Sequence, residues 1–159
     1  MRRLWAPWRM EYILSEKGSE CIFCKKIKED RDEDNYILYR GANSFVMMNV
    51  YPYNNGHLMV MPYLHLSTLE ELGTDVMFDM MNVTQKAISI LRDVLNPDGF
   101  NVGMNFGKIA GAGMPSHLHI HIIPRWMGDT DFMPLVAETR VMPEHLKITY
   151  RKLLPFFKK

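Results

Sequence analysis

The chain has 159 residues, of which 47% are hydrophobic, and it carries a formal net charge of +1. This length and apolar content allow one globular domain with a sizeable core. The near-neutral charge excludes a strongly basic field for nucleic acid or a membrane surface, so attraction for a phosphorylated ligand must be local. No apolar run approaches a bilayer-spanning length, and the basic N-terminus lacks the apolar region of a signal peptide, which predicts a cytoplasmic protein.

Short apolar or alternating runs bounded by turn residues predict five strands. In chain order these are residues 36–40, 45–49, 57–61, 100–106 and 117–123. Ser67, with Glu70 three positions later, matches a capping box and predicts a short helical turn.

A long helix is predicted to be capped by Asp75 and to end at about Leu95, before Asn-Pro-Asp-Gly. Its apolar positions recur every three or four residues and define one face: Met77, Met80, Met81, Thr84, Ala87, Ile88, Leu91, Val94 and Leu95. The tail from Pro143 is predicted to form another helix to Leu154. Strands around one long helix favour an α+β domain with a mainly antiparallel sheet.

The segment 117–123 reads His-Leu-His-Ile-His-Ile-Ile. Successive side chains of a strand point to opposite faces, so His117, His119 and His121 share one face and the apolar residues share the other. Imidazole titrates near neutral pH, so a row of these rings indicates nucleophilic or acid–base chemistry. The alternative is a surface strand whose exposed positions happen to be histidine.

These three histidines cannot all bind one metal ion. A strand rises about 3.3 Å per residue, so His117 and His121 are separated by roughly 13 Å along it, whereas zinc–nitrogen bonds are about 2.0–2.1 Å long. At most two neighbours could share a metal, and at least one ring must have another role.

Two glycines precede the histidine run, in Gly111-Ala-Gly113. Their unhindered backbone N–H groups could hold phosphate oxygens beside a nucleophile, although glycines most often only form a turn. Ser116 borders the row and could donate a proton, and His57 begins a predicted strand that could face the same site. His145 is expected to be an exposed structural residue.

The sequence Cys21-Ile-Phe-Cys24 has the spacing of a zinc knuckle or a redox motif. The flanking sequence lacks the βαβ context of the redox motif, and the expected location disfavours a disulfide. Two cysteines cannot complete a tetrahedral zinc site, so His65 and one histidine of the row are candidate ligands. The alternative is two buried thiols that pack as small hydrophobic groups.

The histidine run resembles the signature of the histidine triad superfamily of nucleotide hydrolases and transferases. The similarity covers roughly residues 20–130 and includes Gly56-His57-Leu58, Met61-Pro62 and Asn105-Phe106-Gly107. Other segments resemble the bacterial diadenosine tetraphosphate phosphorylases: residues 4–12, 21–24, 49–54 and 124–129. One departure is Ala110-Gly-Ala-Gly113, where many members carry Ala-Gly-Gln and a shorter stretch.

The resemblance implies an α+β fold with a five-stranded antiparallel sheet, one long helix and a short helix, paired into a homodimer. It implies a single domain over residues 1–159 with its core at about 20–130. An N-terminal arm (1–19) and a C-terminal tail (131–159) would pack on that core.

The resemblance also implies the role of each site residue. His119 would attack the α-phosphorus of a nucleotide, and His121 and His57 would hydrogen-bond around the phosphate. Asn49 would contact the ribose and Asn105 the phosphate chain. The remaining phosphate contacts would come from Ser116, Gly111 and Gly113. A structural zinc would be bound by Cys21, Cys24, His65 and His117.

The implied substrates are adenine nucleotides or dinucleoside polyphosphates, with inorganic phosphate as the acceptor. The preferred reaction is phosphorolysis of diadenosine tetraphosphate to ATP and ADP. Two alternatives stay open at this point. One is a hydrolase of nucleoside phosphoramidates, adenylates or dinucleoside polyphosphates, and the other is a non-catalytic, zinc-stabilised nucleotide-binding module.

Overall fold

The structure is a computed structural model that describes residues 20–129 and 142–159. The helices in these ranges are α1 (Ile22–Lys28), α2 (Asp32–Asn35), α3 (Thr74–Leu95) and α4 (Leu146–Phe157). The strands are β1 (Ile37–Arg40), β2 (Ser44–Met48), β3 (Leu58–Pro62), β4 (Gly99–Gly103) and β5 (Ile120–Arg125), with a short 3₁₀ helix at Lys108–Ala110. None of these helices is long and apolar enough to cross a membrane.

The five strands form one antiparallel sheet in the order β1-β2-β3-β5-β4, which confirms the predicted α+β class and sheet. Two predicted strands were too long. The fourth ends at Gly103 rather than at residue 106. The fifth begins at Ile120 rather than at residue 117, because the backbone N–H of Leu118 donates to Leu66 instead of to β3.

The sheet is buried on both faces, and the alternation of side chains separates two apolar clusters. On one face, Val46, Val60 and Ile122 belong to the main core beneath α3 and α4. On the other face, Phe45, Met47, Met59 and Met61 form a second cluster that Phe23 of α1 covers. Met59 is paired with His121 across β3 and β5, so the histidine face of β5 belongs to this second side.

Helix α3 packs over the first face of the sheet. Part of its predicted apolar face is buried, but the buried stripe lies at a different angle around the helix. Met80, Thr84, Ala87 and Leu91 are buried as predicted. Met77 and Met81 were assigned to the buried face, yet they are 37% and 47% exposed. Val83 and Ile90 are buried instead, since the 3.6-residue period turns the stripe toward these positions.

Two predictions about helix starts were wrong. Ser67 and Glu70 do not begin a helical turn, because the Leu66 carbonyl is bound by Leu118 and the chain continues in bends to a turn at Leu69–Leu72. Asp75 lies in the first turn of α3, and the capping position is Gly73, whose carbonyl accepts from Met77.

The tail helix α4 packs against α3 and β1, and the hydroxyl of Tyr150 donates to the Ile37 carbonyl at 3.0 Å. It spans Leu146–Phe157 rather than residues 143–154 and contains Pro155. His145, which is exposed as predicted, caps it by accepting from the Lys147 N–H. The predicted arm 1–19 and residues 130–141 of the tail lie outside the described residues.

Candidate active site and metal centre

The histidine face of β5 meets three other segments of the chain: helix α1, the turn before β3 and the loop after Pro62. The alternation expected for residues 117–123 holds even where the strand itself has not begun. Leu118, Ile120 and Ile122 enter the main core. The three imidazoles lie on the opposite side and divide into two groups, as the strand geometry required.

His119 is oriented by a hydrogen bond within its own segment. Its Nδ1 lies 2.8 Å from the backbone carbonyl oxygen of His117. A carbonyl only accepts, so Nδ1 carries the proton and Nε2 keeps its lone pair. Burial lowers the pKa of His119, although the bond to His117 opposes this. The ring is therefore neutral near pH 7, with Nε2 as its nucleophilic atom.

His57 and His121 form a hydrogen-bond relay that begins at the protein backbone. The Tyr53 N–H donates to His57 Nδ1 at 3.0 Å, so a neutral His57 must carry its proton on Nε2. His57 Nε2 lies 2.9 Å from His121 Nδ1 and donates to it. The remaining proton of His121 is consequently on Nε2, a buried atom without a hydrogen-bond partner among the described residues.

Both rings of this relay are held in the neutral form. Desolvation by burial, together with the neighbouring imidazoles, lowers the pKa of His57 from 6.5 to about 3. The same causes lower the pKa of His121 to about 4. A buried donor that remains neutral can bind an anionic oxygen without itself carrying a permanent charge.

The reactive rings are packed closely against one another. The centroids of His119 and His121 are 4.6 Å apart at a near-perpendicular angle, so the free Nε2 and the relay belong to one site. Phe23 contacts both His117 and His119 edge-on, with centroid distances of 5.5 Å. Tyr53 lies 4.8 Å from His57 and 5.7 Å from His121.

Phe23 and Tyr53 were not among the predicted site residues. Phe23 lies between the two cysteines, and Tyr53 lies in residues 49–54, one of the segments that resemble the bacterial phosphorylases. Their roles depend on ring packing and on one backbone N–H. Neither property has a signal in residue type or spacing.

Among the other predicted residues, Asn49 contacts the relay, and Asn105 approaches the glycine loop. Asn49 lies beside His57, with its Nδ2 3.5 Å from His57 Nδ1 and its Oδ1 accepting from Tyr51. Asn105 approaches the glycine loop, since a Cβ built on Gly111 would lie 3.8 Å from Asn105 Nδ2. Gly111 has φ +89°, a conformation that favours glycine.

Gly113 and Ser116 are exposed, and the Ser116 hydroxyl donates to Met114 Sδ at 3.5 Å. No hydrogen bond in residues 20–129 or 142–159 joins either residue to His119. Their predicted roles in phosphate binding stay predictions.

The second group is a cluster of metal-ligating side chains. Cys21, Cys24, His65 and His117 place one ligand atom each within 4.8 Å of all the others. Cys21 Sγ and Cys24 Sγ are each 3.5 Å from His117 Nδ1, and Cys24 Sγ is 3.4 Å from His65 Nδ1. Neighbouring ligands of a tetrahedral zinc ion are about 3.6 Å apart, given bonds of about 2.0–2.3 Å. The four side chains fit such an ion.

The chemistry of this donor set also suits zinc. His117 Nε2 donates to the Pro62 carbonyl at 3.0 Å, which leaves Nδ1 unprotonated and directed at the cysteines. Without an ion, burial and the neighbouring Cys21 raise the pKa of the Cys24 thiol. A bound cation has the opposite effect and favours the thiolates that zinc requires.

Comparison with known proteins agrees with this architecture. The family model described as "HIT domain" matches residues 30–127. The chain is 38% identical to the "AP-4-A phosphorylase" of Mycobacterium tuberculosis (strain ATCC 25618 / H37Rv) over 161 residues, covering 96% of this chain and 83% of that protein. The chain belongs to the HIT family, as its histidine run predicted.

The chain is also similar to more distant proteins. The chain is 28% identical to an "Adenosine 5'-monophosphoramidase" of Candida albicans, covering 67% of this chain and 71% of that protein. The crystal structure of a zinc-bound histidine triad family protein from Mycobacterium smegmatis superposes with a TM-score of 0.70 and 26% identity, covering 87% of this chain and 94% of that chain.

Proposed function

We propose that the protein transfers a nucleotidyl group through a covalent intermediate on His119, and that its preferred reaction is phosphorolysis of diadenosine tetraphosphate to ATP and ADP. One observation carries the chemistry: the His119 ring, whose Nε2 is unprotonated, packs with its centroid 4.6 Å from the His121 ring, whose buried Nε2 carries a proton. The 38% identical AP-4-A phosphorylase supports the choice of substrate.

In the first step, His119 Nε2 attacks the α-phosphorus of the dinucleotide. The N–P bond forms as the bond to the bridging oxygen breaks, and its electron pair leaves with ATP. The ring becomes a cationic nucleotidyl-imidazole, which the carbonyl of His117 stabilises through Nδ1–H. The Nε2–H of His121 donates to a phosphate oxygen as negative charge develops.

In the second step, an oxygen of inorganic phosphate attacks the same phosphorus. The N–P bond breaks, its electron pair returns to His119 as a neutral ring, and ADP is released. Two successive displacements allow the second acceptor to differ from the first leaving group. Water in place of phosphate would release AMP.

Several residues are proposed to bind the substrate. Asn49 would contact the ribose and Asn105 the phosphate chain, because Asn49 adjoins His57 and Asn105 adjoins the glycine loop. Gly111, Gly113 and Ser116 would complete the phosphate contacts.

We propose that Cys21, Cys24, His65 and His117 hold a structural zinc ion, on the donor geometry above. Zinc at this position would cross-link α1, the loop after β3 and the start of the histidine segment. Since the His117 carbonyl orients His119, the ligands would also keep the nucleophile in place.

We further propose a homodimer. Strand β4 is at the edge of the sheet and pairs only with β5 among the described strands, and Val102 on it is 47% exposed. An unpaired, partly apolar edge is a surface that a second copy can cover. Sedimentation analysis should give twice the mass of the chain, and a monomer at micromolar concentration would contradict this.

The reaction is tested by incubating the protein with diadenosine tetraphosphate, with and without inorganic phosphate. We expect ATP and ADP in equal amounts with phosphate and a much slower reaction without it. Equal rates in both mixtures, with AMP as a product, would show a hydrolase instead. Binding of AMP without any turnover would favour the non-catalytic module.

A further inference from the structure

Asp129 has no role in the site described so far, yet its carboxylate is one of the most heavily hydrogen-bonded groups in the described chain. Its side chain is 8% exposed. Arg125 donates to it from Nε at 2.7 Å and from Nη2 at 2.8 Å, and the Trp126 N–H donates at 3.1 Å. The fourth donor is Asn54 Nδ2, at 2.7 Å, from a segment 75 residues away.

Asn54 connects this carboxylate to the turn that precedes β3. Its side chain is buried and also donates to the Pro124 carbonyl at 3.0 Å. Its backbone carbonyl accepts from the His57 N–H at 3.2 Å, which closes the turn. The side chain of Asn54 is therefore held by Asp129 and Pro124, and its backbone carbonyl is held by His57.

The peptide N–H that begins the histidine relay lies one residue before Asn54. The Tyr53 N–H reaches His57 Nδ1 only if the turn keeps its orientation. A shift of the Asn54 side chain would rotate the Tyr53–Asn54 segment and withdraw this donor. His57 Nδ1 would then retain only the longer, 3.5 Å contact with Asn49 Nδ2, so it could take a proton itself, and His57 Nε2 would no longer be obliged to donate to His121.

We propose that Asp129 is a positioning residue, which holds Asn54 so that the Tyr53 N–H stays on His57 Nδ1 and the relay ends with a proton on His121 Nε2. Its importance for turnover rests on the proposed function, in which that proton meets the phosphate. The role of Asp129 in the relay is independent of the proposed function and can be measured on the protein without substrate.

The test compares Asp129→Asn with Asp98→Asn. Asparagine keeps the size of Asp129 but removes its negative charge, which weakens the hydrogen bond from Asn54, and its NH2 group opposes at least one of the donors from Arg125, Trp126 and Asn54. Asp98 is a matched control, because it accepts from the Met127 N–H in the same turn but makes no hydrogen bond to Asn54. Thermal unfolding of both variants reports whether each is folded.

The first measurement is histidine-selective ¹⁵N NMR of the ligand-free protein. In the wild type and in Asp98→Asn, His57 Nε2–H is expected as a resolved proton resonance that exchanges slowly with water. In Asp129→Asn it should exchange at least about tenfold faster, because the hydrogen bond opens more often. Unchanged exchange in Asp129→Asn, or equally fast exchange in Asp98→Asn, would overturn the proposal.

The second measurement is a double-mutant cycle in the same exchange experiment, with Asn54→Ala. If Asp129 acts through Asn54, the double variant should exchange no faster than Asn54→Ala alone. Additive effects would overturn the proposed route. In turnover, we expect Asp129→Asn to lower kcat by about tenfold while KM changes by less than about twofold. If the wild type shows no phosphorolysis, the proposed function fails while the exchange result still decides the role of Asp129.

Discussion

The three histidines of the triad share one face, yet each has a different hydrogen-bond environment. His117 is fixed by the Pro62 carbonyl and points toward the cysteines. His119 donates to the carbonyl of His117, and His121 accepts from His57. Which nitrogen of each ring carries the proton follows from these partners, and the proton position decides which ring can attack phosphorus.

Replacement of His119 by alanine should abolish the nucleophile without disturbing the zinc cluster. We expect kcat to fall by roughly 10³-fold or more, because no other unprotonated imidazole in the described site is free to attack. Binding of AMP, measured by calorimetry, should persist. His145→Ser is the control, since a serine keeps the helix cap while removing an exposed imidazole that is not part of the site. Retained turnover in His119→Ala would disprove the covalent mechanism.

At the scale of secondary-structure elements, the turn before β3 is the most constrained part of the site. Gly56 has φ +72°, and a Cβ built on it would lie 2.5 Å from Leu95 Cδ1 of α3. The residue after it is His57, whose ring is fully buried. Backbone conformation and side-chain packing therefore both require glycine beside the relay.

Gly56→Ala should lower the free energy of unfolding by about 1–3 kcal/mol and reduce activity, because the strained turn moves His57. The measurement is urea unfolding followed by a phosphorolysis assay. Gly99→Ala is the matched control, as a Cβ there meets nothing within 4 Å. Equal stability of the two variants would contradict this assignment of strain.

The metal cluster joins α1, the loop after β3 and the start of the histidine segment. Cys24→Ser should remove bound zinc and lower Tm by roughly 10 °C, since a structural zinc contributes several kcal/mol to folding. Metal analysis and calorimetry measure the two effects. Lys25→Ser, on the exposed side of the same helix, should retain about one zinc per chain. Wild-type protein that contains no zinc and has freely titratable thiols would rule out the site.

For the whole molecule, the buried relay makes stability depend on pH. In the unfolded chain His57 and His121 take up protons near a pKa of 6.5, whereas in the folded protein the pKa values are about 3 and about 4. Between pH 6.5 and 4 the unfolded state binds more protons, so the free energy of unfolding falls as the pH falls. Above pH 6.5 both rings are neutral in the folded and the unfolded state, so they no longer lower the free energy of unfolding.

The slope should approach about 1.4 kcal/mol per pH unit for each ring over this window. The free energy of unfolding is measured in urea at several pH values between 7 and 5, with zinc in excess. Most carboxylates titrate below this range, and the excess zinc prevents metal loss, so the slope reports the histidines. His57→Asn should show a shallower slope, whereas His145→Ser should match the wild type. A flat profile in the wild type would mean that the two rings are already protonated or exposed.

Much of the fold followed from patterns that are local in the chain. The five strands were placed to within a few residues, and the antiparallel sheet with one long helix was predicted correctly. The errors were at boundaries and faces: the strand at His117, the turn at Ser67, and the exposure of Met77 and Met81. For the strand and the turn, the hydrogen bond between Leu118 and Leu66 decided the outcome, and no local pattern records such a contact. For the two methionines, the exact angle of the buried stripe around the helix decided it.

By itself, the sequence determined the histidine face, because residue identity and the two-residue period of a strand are local properties. Its resemblance to the histidine triad superfamily gave the family and implied the four candidate zinc ligands. The tertiary structure decided what each imidazole can do. Proton positions on His57 and His121 depend on the Tyr53 N–H, and their low pKa values depend on burial from several segments. These are properties of the folded surroundings, since a hydrogen-bond partner and a desolvated site exist only once remote parts of the chain have come together.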